Sequence, residues 1–202
     1  MSIVVEHEKR RREIFEGALD IFVEEGFDNV TYQKIADRCG ITRTTLYIYF
    51  KNKREIFNFS IKQLLQDVEA DIAKVRNEKN FSHTEKLLGA MIVIIERLEK
   101  NQRLLTVILN YLYSISNADY DPDYRVRRRT VRLRHILANI LIEGIKAGEF
   151  SKTLNIRDAN EFLYSFLEAA VFRLVILRRK NADPLKEAVA QAVRSLSGEK
   201  KE

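Results

Sequence analysis

Proline is almost absent from this chain, and its scarcity does more than any other feature to limit the possible folds. Only Pro122 and Pro184 occur among 202 residues, so long stretches are free of the residue that breaks helix interiors. Apolar residues recur in these stretches at the spacing of helices, and the alternation typical of strands is not evident. The sequence therefore predicts an all-α fold of about nine helices.

The first predicted helix ends at a glycine, and two short helices follow it. Gly26 supplies the C-terminal stop of a helix with a clear apolar face. Thr31 and Thr42 stand where N-cap residues are expected, and Gly40 separates the two short helices that they begin. The apolar face of the first helix consists of Ile14, Phe15, Ala18, Leu19, Phe22 and Val23. The pattern predicts an N-terminal head of three helices.

A longer helix is predicted to leave this head. Asn52, with Glu55 three residues later, resembles the capping box that begins many helices. We therefore predict one domain over residues 1–52 and a larger helical bundle over residues 53–202. Further helices are expected over residues 87–98, 104–115, 123–146, 158–179 and 184–196.

The two short helices form a helix-turn-helix, and positive charge is concentrated in it. Basic residues outnumber acidic residues by only 35 to 29 in the whole chain. From Thr31 to Arg54 the single acid is Asp37, and the basic residues are Lys34, Arg38, Arg43, Lys51, Lys53 and Arg54. A helix-turn-helix suits DNA because its second helix fits the major groove while the first contacts the backbone. We therefore predict double-stranded DNA as the partner of the head.

The segment from about residue 9 to residue 57 also resembles the TetR/AcrR family of transcriptional regulators. The matching residues are Ala18-Leu19-x-x-Phe22, Gly26-Phe27, Thr31, Ile35-Ala36, Gly40-Ile41, Leu46-Tyr47-x-x-Phe50 and Lys53. Cys39 departs from the family pattern, which usually has alanine there. The resemblance implies phosphate contacts from Thr31, Thr45, Tyr47, Tyr49 and Lys53, and it places Tyr32, Arg43 and Thr44 nearest the bases.

The second short helix is expected to present one side to the groove. On a helical wheel, Arg43, Thr44 and Tyr47 share an exposed arc opposite Leu46 and Phe50. Arg43 is predicted to contribute most to specificity, because a guanidinium can donate two hydrogen bonds to a guanine. The full predicted DNA-binding set is Thr31, Tyr32, Gln33, Thr42, Arg43, Thr44, Thr45, Tyr47, Tyr49 and Lys53. The alternative is that the threonines only cap helices and the tyrosines only pack against the head.

Two helices near the C-terminus are predicted to form a homodimer interface. The helix over residues 158–179 is apolar around most of its circumference, and the last helix carries alanines that permit close packing. Together they predict a four-helix interface between two copies of the chain, as the family resemblance also implies. The predicted interface residues are Phe162, Phe166, Ala170, Val189, Ala192 and Val193. The alternative is that both helices belong to the core of a single chain.

A ligand pocket is predicted among the middle helices, although its apolar members fit an ordinary core as well. The candidate residues are Ile92, Ile95, Ile108, Tyr111, Leu112, Arg128 and Arg132. Arg128 and Arg132 belong to a run of six arginines over residues 125–134, near the start of a helix, where the helix dipole favours acids. This arginine run has three interpretations. It could form a solvated or salt-bridged face, bind an anionic ligand such as an acyl thioester or carboxylate, or make an auxiliary contact with DNA.

The residues that an enzyme or a metal site needs do not occur together. The Glu-x-x-His pairs of di-iron bundles and glycine-rich phosphate loops are absent from the sequence, and His7, His83 and His135 are scattered. Cys39 is the single cysteine, which excludes an internal disulfide and a multi-cysteine metal site. We predict no catalytic residue, no metal and no cofactor. An all-α enzyme is the less favoured alternative.

Taken together, these features predict a cytoplasmic transcriptional regulator. No apolar run reaches the ~20 residues of a membrane span, and no secretory signal is expected at the N-terminus. The regulator is expected to be a repressor that binds as a homodimer and is released by a small-molecule effector. Its operator should be an inverted repeat, because the two recognition helices of a dimer meet successive major grooves about 34 Å apart. The alternative is a regulator that binds DNA constitutively.

Overall fold

The computed structural model describes residues 3–116 and 122–197, with the side chains of residues 5–113, 128 and 130–197. The described chain is mainly helical, which confirms the predicted all-α fold. Its helices are α1 Ile3–Glu25, α2 Tyr32–Arg38, α3 Arg43–Tyr49, α4 Lys53–Asn77, α5 His83–Lys100, α6 Gln102–Ser116, α7 Pro122–Lys146, α8 Ile156–Val171 and α9 Asp183–Leu196. A π-helical turn, Phe172–Ile176, directly follows α8.

The two threonines predicted as N-caps begin α2 and α3. Thr31 Oγ1 accepts a hydrogen bond from the backbone N–H of Lys34 at 3.2 Å, and Thr42 Oγ1 accepts one from the N–H of Thr45 at 3.0 Å. Gly40, in the turn between the helices, has a φ of 63°, a left-handed conformation that suits glycine. The predicted helix-turn-helix is therefore confirmed together with its caps.

The three N-terminal helices enclose an apolar core of their own. α1 packs against α2 and α3, and α2 packs against α3. The core side chains are almost completely buried and include Ile14, Phe22, Ile35, Leu46 and Phe50. Ile14, Ala18, Leu19 and Phe22 confirm the inward face predicted for α1. Phe15 is only half-buried, and the prediction was wrong for Val23, which is 40% exposed near the end of the helix.

α4 begins as predicted, with one difference in its cap. Asn52 Oδ1 accepts a hydrogen bond from the backbone N–H of Glu55 at 2.9 Å. The Glu55 carboxylate accepts from the backbone N–H of Lys51 at 2.6 Å, whereas a reciprocal capping box would use the N–H of Asn52. The carboxylate thus reaches one residue further back and ties the α3–α4 turn to the first turn of α4.

The helix predicted over residues 158–179 is shorter in the structure. α8 ends at Val171, the π-helical turn follows, and Arg178 then adopts a φ of 51°. A left-handed conformation is uncommon for a residue with a Cβ, and it ends the helical segment. α9 starts after Ala182, whose backbone N–H donates to the Glu99 carboxylate of α5 at 2.5 Å.

The chain divides into two compact units, each built from two segments. The first unit consists of Met1–Leu64 with Arg103–Pro122, and the second consists of Leu65–Gln102 with Asp123–Glu202. The boundary predicted between residues 52 and 53 marks the start of α4, while the division between the units falls inside this helix. As a domain boundary it stays a prediction.

An aromatic cluster joins α6 to the α1–α2 loop and to α4 within the first unit. Tyr111 of α6 packs against Phe27 and Phe57, with ring centroids 4.8 and 4.9 Å apart. At the start of α6, Arg103 forms an ion pair with Asp20 of α1. α6 therefore shares the core of the head.

The second unit has its core among α5, α8 and α9, which pack against one another. Its fully buried side chains include Leu87, Ile95, Leu163, Val189 and Val193. The α7–α8 loop belongs to this unit as well, and it also supplies a cap for α5.

That cap is the carboxylate of Glu149. It accepts hydrogen bonds from the backbone N–H groups of His83 and Thr84, both at 2.9 Å, and from His83 Nδ1 at 2.7 Å. Partial burial by itself raises the pKa of Glu149, but these hydrogen bonds outweigh burial and lower the pKa to about 2. Glu149 is therefore ionised near neutral pH and holds the loop to the N-terminus of α5.

Glu149→Ala should lower the free energy of unfolding by about 1 to 2 kcal/mol at pH 7, because two helix N–H groups lose their acceptor. The folded state lowers the pKa of Glu149, so its contribution is complete above pH ~5 and is lost as the pH falls toward 2. Urea unfolding followed by circular dichroism at about pH 7 and about pH 3 should therefore show a smaller difference from wild type at the lower pH. Glu187→Ala, at an exposed position of α9, is the control. Equal losses from both substitutions would contradict the capping role.

Candidate nucleic-acid interface

The second helix of the helix-turn-helix, α3, exposes much of its surface. It has seven residues, of which only Leu46 is buried. Arg43, Thr44 and Tyr47 are all exposed, as the helical wheel predicts. The inner side of α3 therefore packs against the head while its outer side is open to a groove of DNA.

A stack of side chains positions Arg43. The Arg43 guanidinium lies 5.7 Å from the centroid of the Tyr47 ring, and its Nη2 donates a hydrogen bond to the Tyr47 hydroxyl at 3.1 Å. The Tyr47 ring packs against the Tyr32 ring of α2, with centroids 4.7 Å apart. Because this stack already orders Arg43, less conformational entropy is lost when the guanidinium binds a base.

Tyr32 links the two helices through its hydroxyl, which donates a hydrogen bond to the backbone carbonyl of Phe50. Burial, followed by the influence of Tyr47 and Glu55, raises the pKa of Tyr32 to about 12. The hydroxyl is therefore protonated near neutral pH and remains a donor. This bond connects the start of α2 to the residue that follows α3.

Several polar residues of the predicted DNA-binding set make hydrogen bonds within the head. Gln33 Nε2 donates to Asp37 Oδ1 at 2.7 Å, and the hydroxyls of Thr42 and Thr45 lie 2.8 Å apart. The caps made by Thr31 and Thr42 confirm the structural role that was the alternative for these threonines. Their contacts with DNA stay predictions.

Lys53 holds the loop between α1 and α2. Its Nζ donates to the backbone carbonyls of Phe27, Asp28 and Val30 at 2.8, 3.0 and 3.0 Å. Burial lowers the pKa of Lys53, an effect that the charge of Asp28 opposes. An ammonium has three N–H donors, which matches the three carbonyls. No pattern in the sequence pointed to this role, and the phosphate contact that the family resemblance implies stays a prediction.

Two of the six basic residues counted in this segment pair with acids of α1. Lys34 Nζ lies 2.5 Å from Glu25 Oε2, and Arg38 Nη2 lies 2.5 Å from Glu24 Oε2. Within the described part of the chain, the basic residues of the segment that form no ion pair are Arg43, Lys51, Lys53 and Arg54. The uncompensated positive charge therefore lies on α3 and at the start of α4, where a phosphate backbone would be attracted.

The predicted pocket residues are divided between the two compact units. They are Ile108, Tyr111 and Leu112 in the first unit and Ile92, Ile95, Arg128 and Arg132 in the second. Tyr111 and Ile95 are buried, whereas Arg128 and Arg132 are exposed, and Arg132 lies 3.7 Å from the carboxylate of Glu69. Three more arginines of the run, Arg125, Arg127 and Arg129, have side chains that lie outside the described residues. The pocket stays a prediction.

Four of the six predicted interface residues are buried within the single chain, namely Ala170, Val189, Ala192 and Val193. Phe162 is 44% exposed, and its ring packs edge-on against that of the half-buried Phe166, with centroids 5.3 Å apart. The small residues of α9 thus serve the core of their own chain. The exposed apolar surface lies instead on α8 and in the segment that follows it, at Phe162, Phe172, Ile176 and Leu177.

No group of three His, Cys, Asp or Glu side chains among the described residues could hold a metal ion. None of the helices in this part of the chain is long and apolar enough to cross a membrane. The site that the structure does present is an exposed second helix of a helix-turn-helix, with unpaired positive charge at Arg43 and just after the helix, and it defines a DNA-binding protein.

Comparison with known proteins leads from this class to a family. Residues 14–58 match the family described as bacterial regulatory proteins, tetR family. The fatty acid metabolism regulator protein of Bacillus subtilis is 25% identical over 186 residues, which are 83% of this chain and 84% of that protein. The HTH-type transcriptional repressor KstR2 of Mycolicibacterium smegmatis is 24% identical over 159 residues, 78% of this chain and 74% of that protein. This chain is a DNA-binding transcriptional regulator whose head, over residues 14–58, matches the TetR family, as the resemblance implied.

A solved structure shows that the likeness in fold extends beyond the head. The transcriptional regulator FadR of Bacillus subtilis, in complex with stearoyl-CoA, superposes with a TM-score of 0.72 at 21% identity. The superposition covers 93% of this chain and 97% of that one. The helices that follow the head therefore share the fold of this regulator.

Arg43→Ala should weaken binding to duplex DNA and broaden the range of sequences bound, because the guanidinium is the group expected to read a guanine. Lys53→Ala should weaken binding to all sequences alike and should also lower the unfolding midpoint, because three carbonyls lose their donor. Selection of randomised duplexes and thermal unfolding measure the two effects. Arg157→Ala, at an exposed position of α8, is the charge-matched control. Equal, sequence-independent losses from Arg43→Ala and Lys53→Ala would contradict the role of Arg43.

Proposed function

We propose that this regulator is a repressor that binds an inverted-repeat operator as a homodimer and is released by a small-molecule effector. The observation that carries the proposal is the exposed side of α3, on which Arg43 is held over Tyr47. Because Leu46 anchors the opposite side of the helix, α3 can enter a major groove without losing its own core contacts.

The residues of the head take two kinds of role in this proposal. Arg43 donates to O6 and N7 of a guanine, a contact that distinguishes bases by about 1 to 3 kcal/mol. Thr44 and Tyr32 lie nearest the bases beside it, and Gln33 and Thr42 border them. The contacts that position the head on phosphates come from Thr31, Thr45, Tyr47 and Tyr49. Lys53, whose three N–H groups donate to loop carbonyls, attracts the phosphates through its charge.

The proposed homodimer uses the apolar surface of α8 and the π-helical turn. Phe172 and Ile176 are 53% and 55% exposed, and Phe172 lines an open groove of about 700 Å³ together with Leu177 and Arg173. Large apolar side chains exposed in one patch are typical of an interaction surface. In a two-fold dimer the patch of each copy covers that of the other, and the pair presents two copies of α3 to the operator.

The proposed effector is a fatty acyl thioester. Two comparisons support this class, since a curated relative is named as a regulator of fatty acid metabolism and the FadR structure contains stearoyl-CoA. Within the second unit the predicted pocket set contains Ile92 and Ile95 as well as Arg128 and Arg132. Guanidinium groups bind phosphate and carboxylate oxygens through paired hydrogen bonds. A steroid-derived ligand is the second candidate, because a structural neighbour, KstR2 of Mycobacterium tuberculosis, is described as a ketosteroid regulator.

A regulator that binds its operator without any effector is the alternative function. The proposal assigns no catalytic step to this chain, in keeping with relatives named as regulators of transcription. It also places the protein in the cytoplasm, where its DNA target is found. Release of DNA by a ligand distinguishes the effector-responsive repressor from the constitutive regulator.

Selection of randomised duplexes on the purified protein at moderate salt should enrich an inverted repeat, because salt suppresses sequence-independent binding. Its half-sites should lie about one helical turn apart, or a multiple of that distance. Sequencing of the bound pool measures both properties. Enrichment of a single half-site would contradict the dimer, and no enrichment from the folded protein would contradict operator recognition.

The enriched duplex then serves as the probe for the effector. Stearoyl-CoA, free coenzyme A, stearate and a steroid acyl thioester are titrated into the complex, and release of labelled DNA is followed. Release by stearoyl-CoA and not by free coenzyme A supports the fatty acyl class, and release by the steroid thioester alone overturns it. Release by none of them favours the constitutive alternative.

Phe172→Glu should convert the dimer to a monomer, because the two-fold interface would bury unpaired carboxylates. Sedimentation velocity measures the mass in solution, and thermal unfolding reports whether the fold is intact. Ile142→Glu, at an exposed apolar position of α7, is the control and should remain a dimer. A folded Phe172→Glu variant that sediments as a dimer would contradict this placement of the interface.

A further inference from the structure

The first turns of α1 bring a histidine against the end of α3. The His7 ring packs against the Tyr49 ring, with centroids 4.9 Å apart and an angle of 35° between the planes. Tyr49 is the last residue of α3, and its hydroxyl is among the groups expected to face phosphates. His7 is exposed and is not part of the predicted DNA-binding set. The contact therefore places an imidazole beside the end of the recognition helix.

Arg10 lies one turn further along α1 and faces the same region. The hydrogen bond with Glu13 raises the pKa of Arg10 most, and smaller contributions come from Tyr49 and from Cys39, the residue after α2, so both lie near the guanidinium. This guanidinium donates to the Glu13 carboxylate at 2.7 Å, but the two side chains are 41% and 47% exposed. An ion pair with this exposure contributes little, so a phosphate can replace Glu13 as the partner of Arg10 at small cost.

Arg11 holds this part of α1 in place. Its guanidinium lies 4.7 Å from the centroid of the Phe50 ring and 4.4 Å from that of Phe59. Phe50 directly follows α3 and is almost completely buried. Arg11 therefore anchors the first turns of α1 to the core, and His7 and Arg10 of the same turns lie on the side that faces α3.

We propose that His7 and Arg10 form a second phosphate-binding element of the DNA interface, which extends the contact surface from α3 to the first turns of α1. This inference rests on the proposed DNA-binding function. Duplex DNA is the occupant because the element is continuous with α3 through the contact between His7 and Tyr49. Imidazole N–H and guanidinium groups donate to phosphate oxygens, which carry no base sequence. The element therefore strengthens binding without changing which sequence is preferred.

The test compares two arginines of the same helix. Binding of the full-length protein to its selected operator is measured over about 50 to 200 mM salt. Arg10→Ala should lower the affinity about tenfold and should reduce the slope of log affinity against log salt by about 0.9 for each phosphate contact removed. Arg12→Ala removes the same charge from an exposed position about 200° around the helix and should change both quantities much less.

The histidine is tested with a pair of substitutions. His7→Ala should lower the affinity about threefold, because one hydrogen bond to a phosphate oxygen is lost. His7→Gln, which keeps an N–H donor, should lose less. The sequence enriched from randomised duplexes should be the same for all of these variants and for wild type. In ethylation interference, modification of particular phosphates should weaken DNA binding by the wild-type protein but not by the Arg10→Ala variant.

The outcomes separate this inference from the function on which it rests. If Arg10→Ala and Arg12→Ala change the affinity and the salt slope equally, or if neither does, the second element is overturned while operator recognition by α3 stands. If wild type selects no duplex, the proposed function fails and the inference fails with it. If Arg10→Ala lowers the unfolding midpoint, Arg10→Gln is measured in its place, because glutamine keeps a long polar side chain and removes the charge.

Discussion

A helix of seven residues is not stable by itself in water, so the DNA-facing surface of this protein depends on the burial of two side chains. Leu46 within α3 and Phe50 directly after it are almost completely buried in the head. At the start of the helix Thr42 satisfies a backbone N–H, and at its end the Tyr32 hydroxyl holds the carbonyl of Phe50. Because these contacts all lie on one side or at the ends, the other side chains of α3 remain exposed or half-buried.

Cationic side chains of the head lie over aromatic rings, and this arrangement connects stability to binding. Arg43 lies over Tyr47, and the ammonium of Lys53 lies 4.8 Å from the centroid of the Phe27 ring. A ring face attracts a cation and limits its rotamers. Side chains ordered in this way lose less entropy when they bind a phosphate or a base, so the packing of the head also prepares its surface for DNA.

Helical periodicity shows which side of a helix is apolar but not what covers it. The stripe on α9 was expected between two copies of the chain, yet Val189 and Val193 are fully buried in one chain, in a helix that packs against α5 and α8. Tyr111 was expected in a pocket, which stays a prediction, and in the structure it packs against Phe27 and Phe57. Buried core and buried interface use the same residue types, which is why the sequence could not separate them.

The sequence by itself determined the local features of this protein. They include the helical segments, the caps at Thr31 and Thr42, the turn at Gly40 and the exposed side of α3, because capping and periodicity involve residues within a few positions of one another. Only the tertiary structure decided which distant residues meet. Lys53 donates to Val30, 23 positions away, and Glu149 caps α5 at His83, 66 positions away. Such contacts depend on how whole helices pack, and no short-range pattern in the sequence specifies that packing.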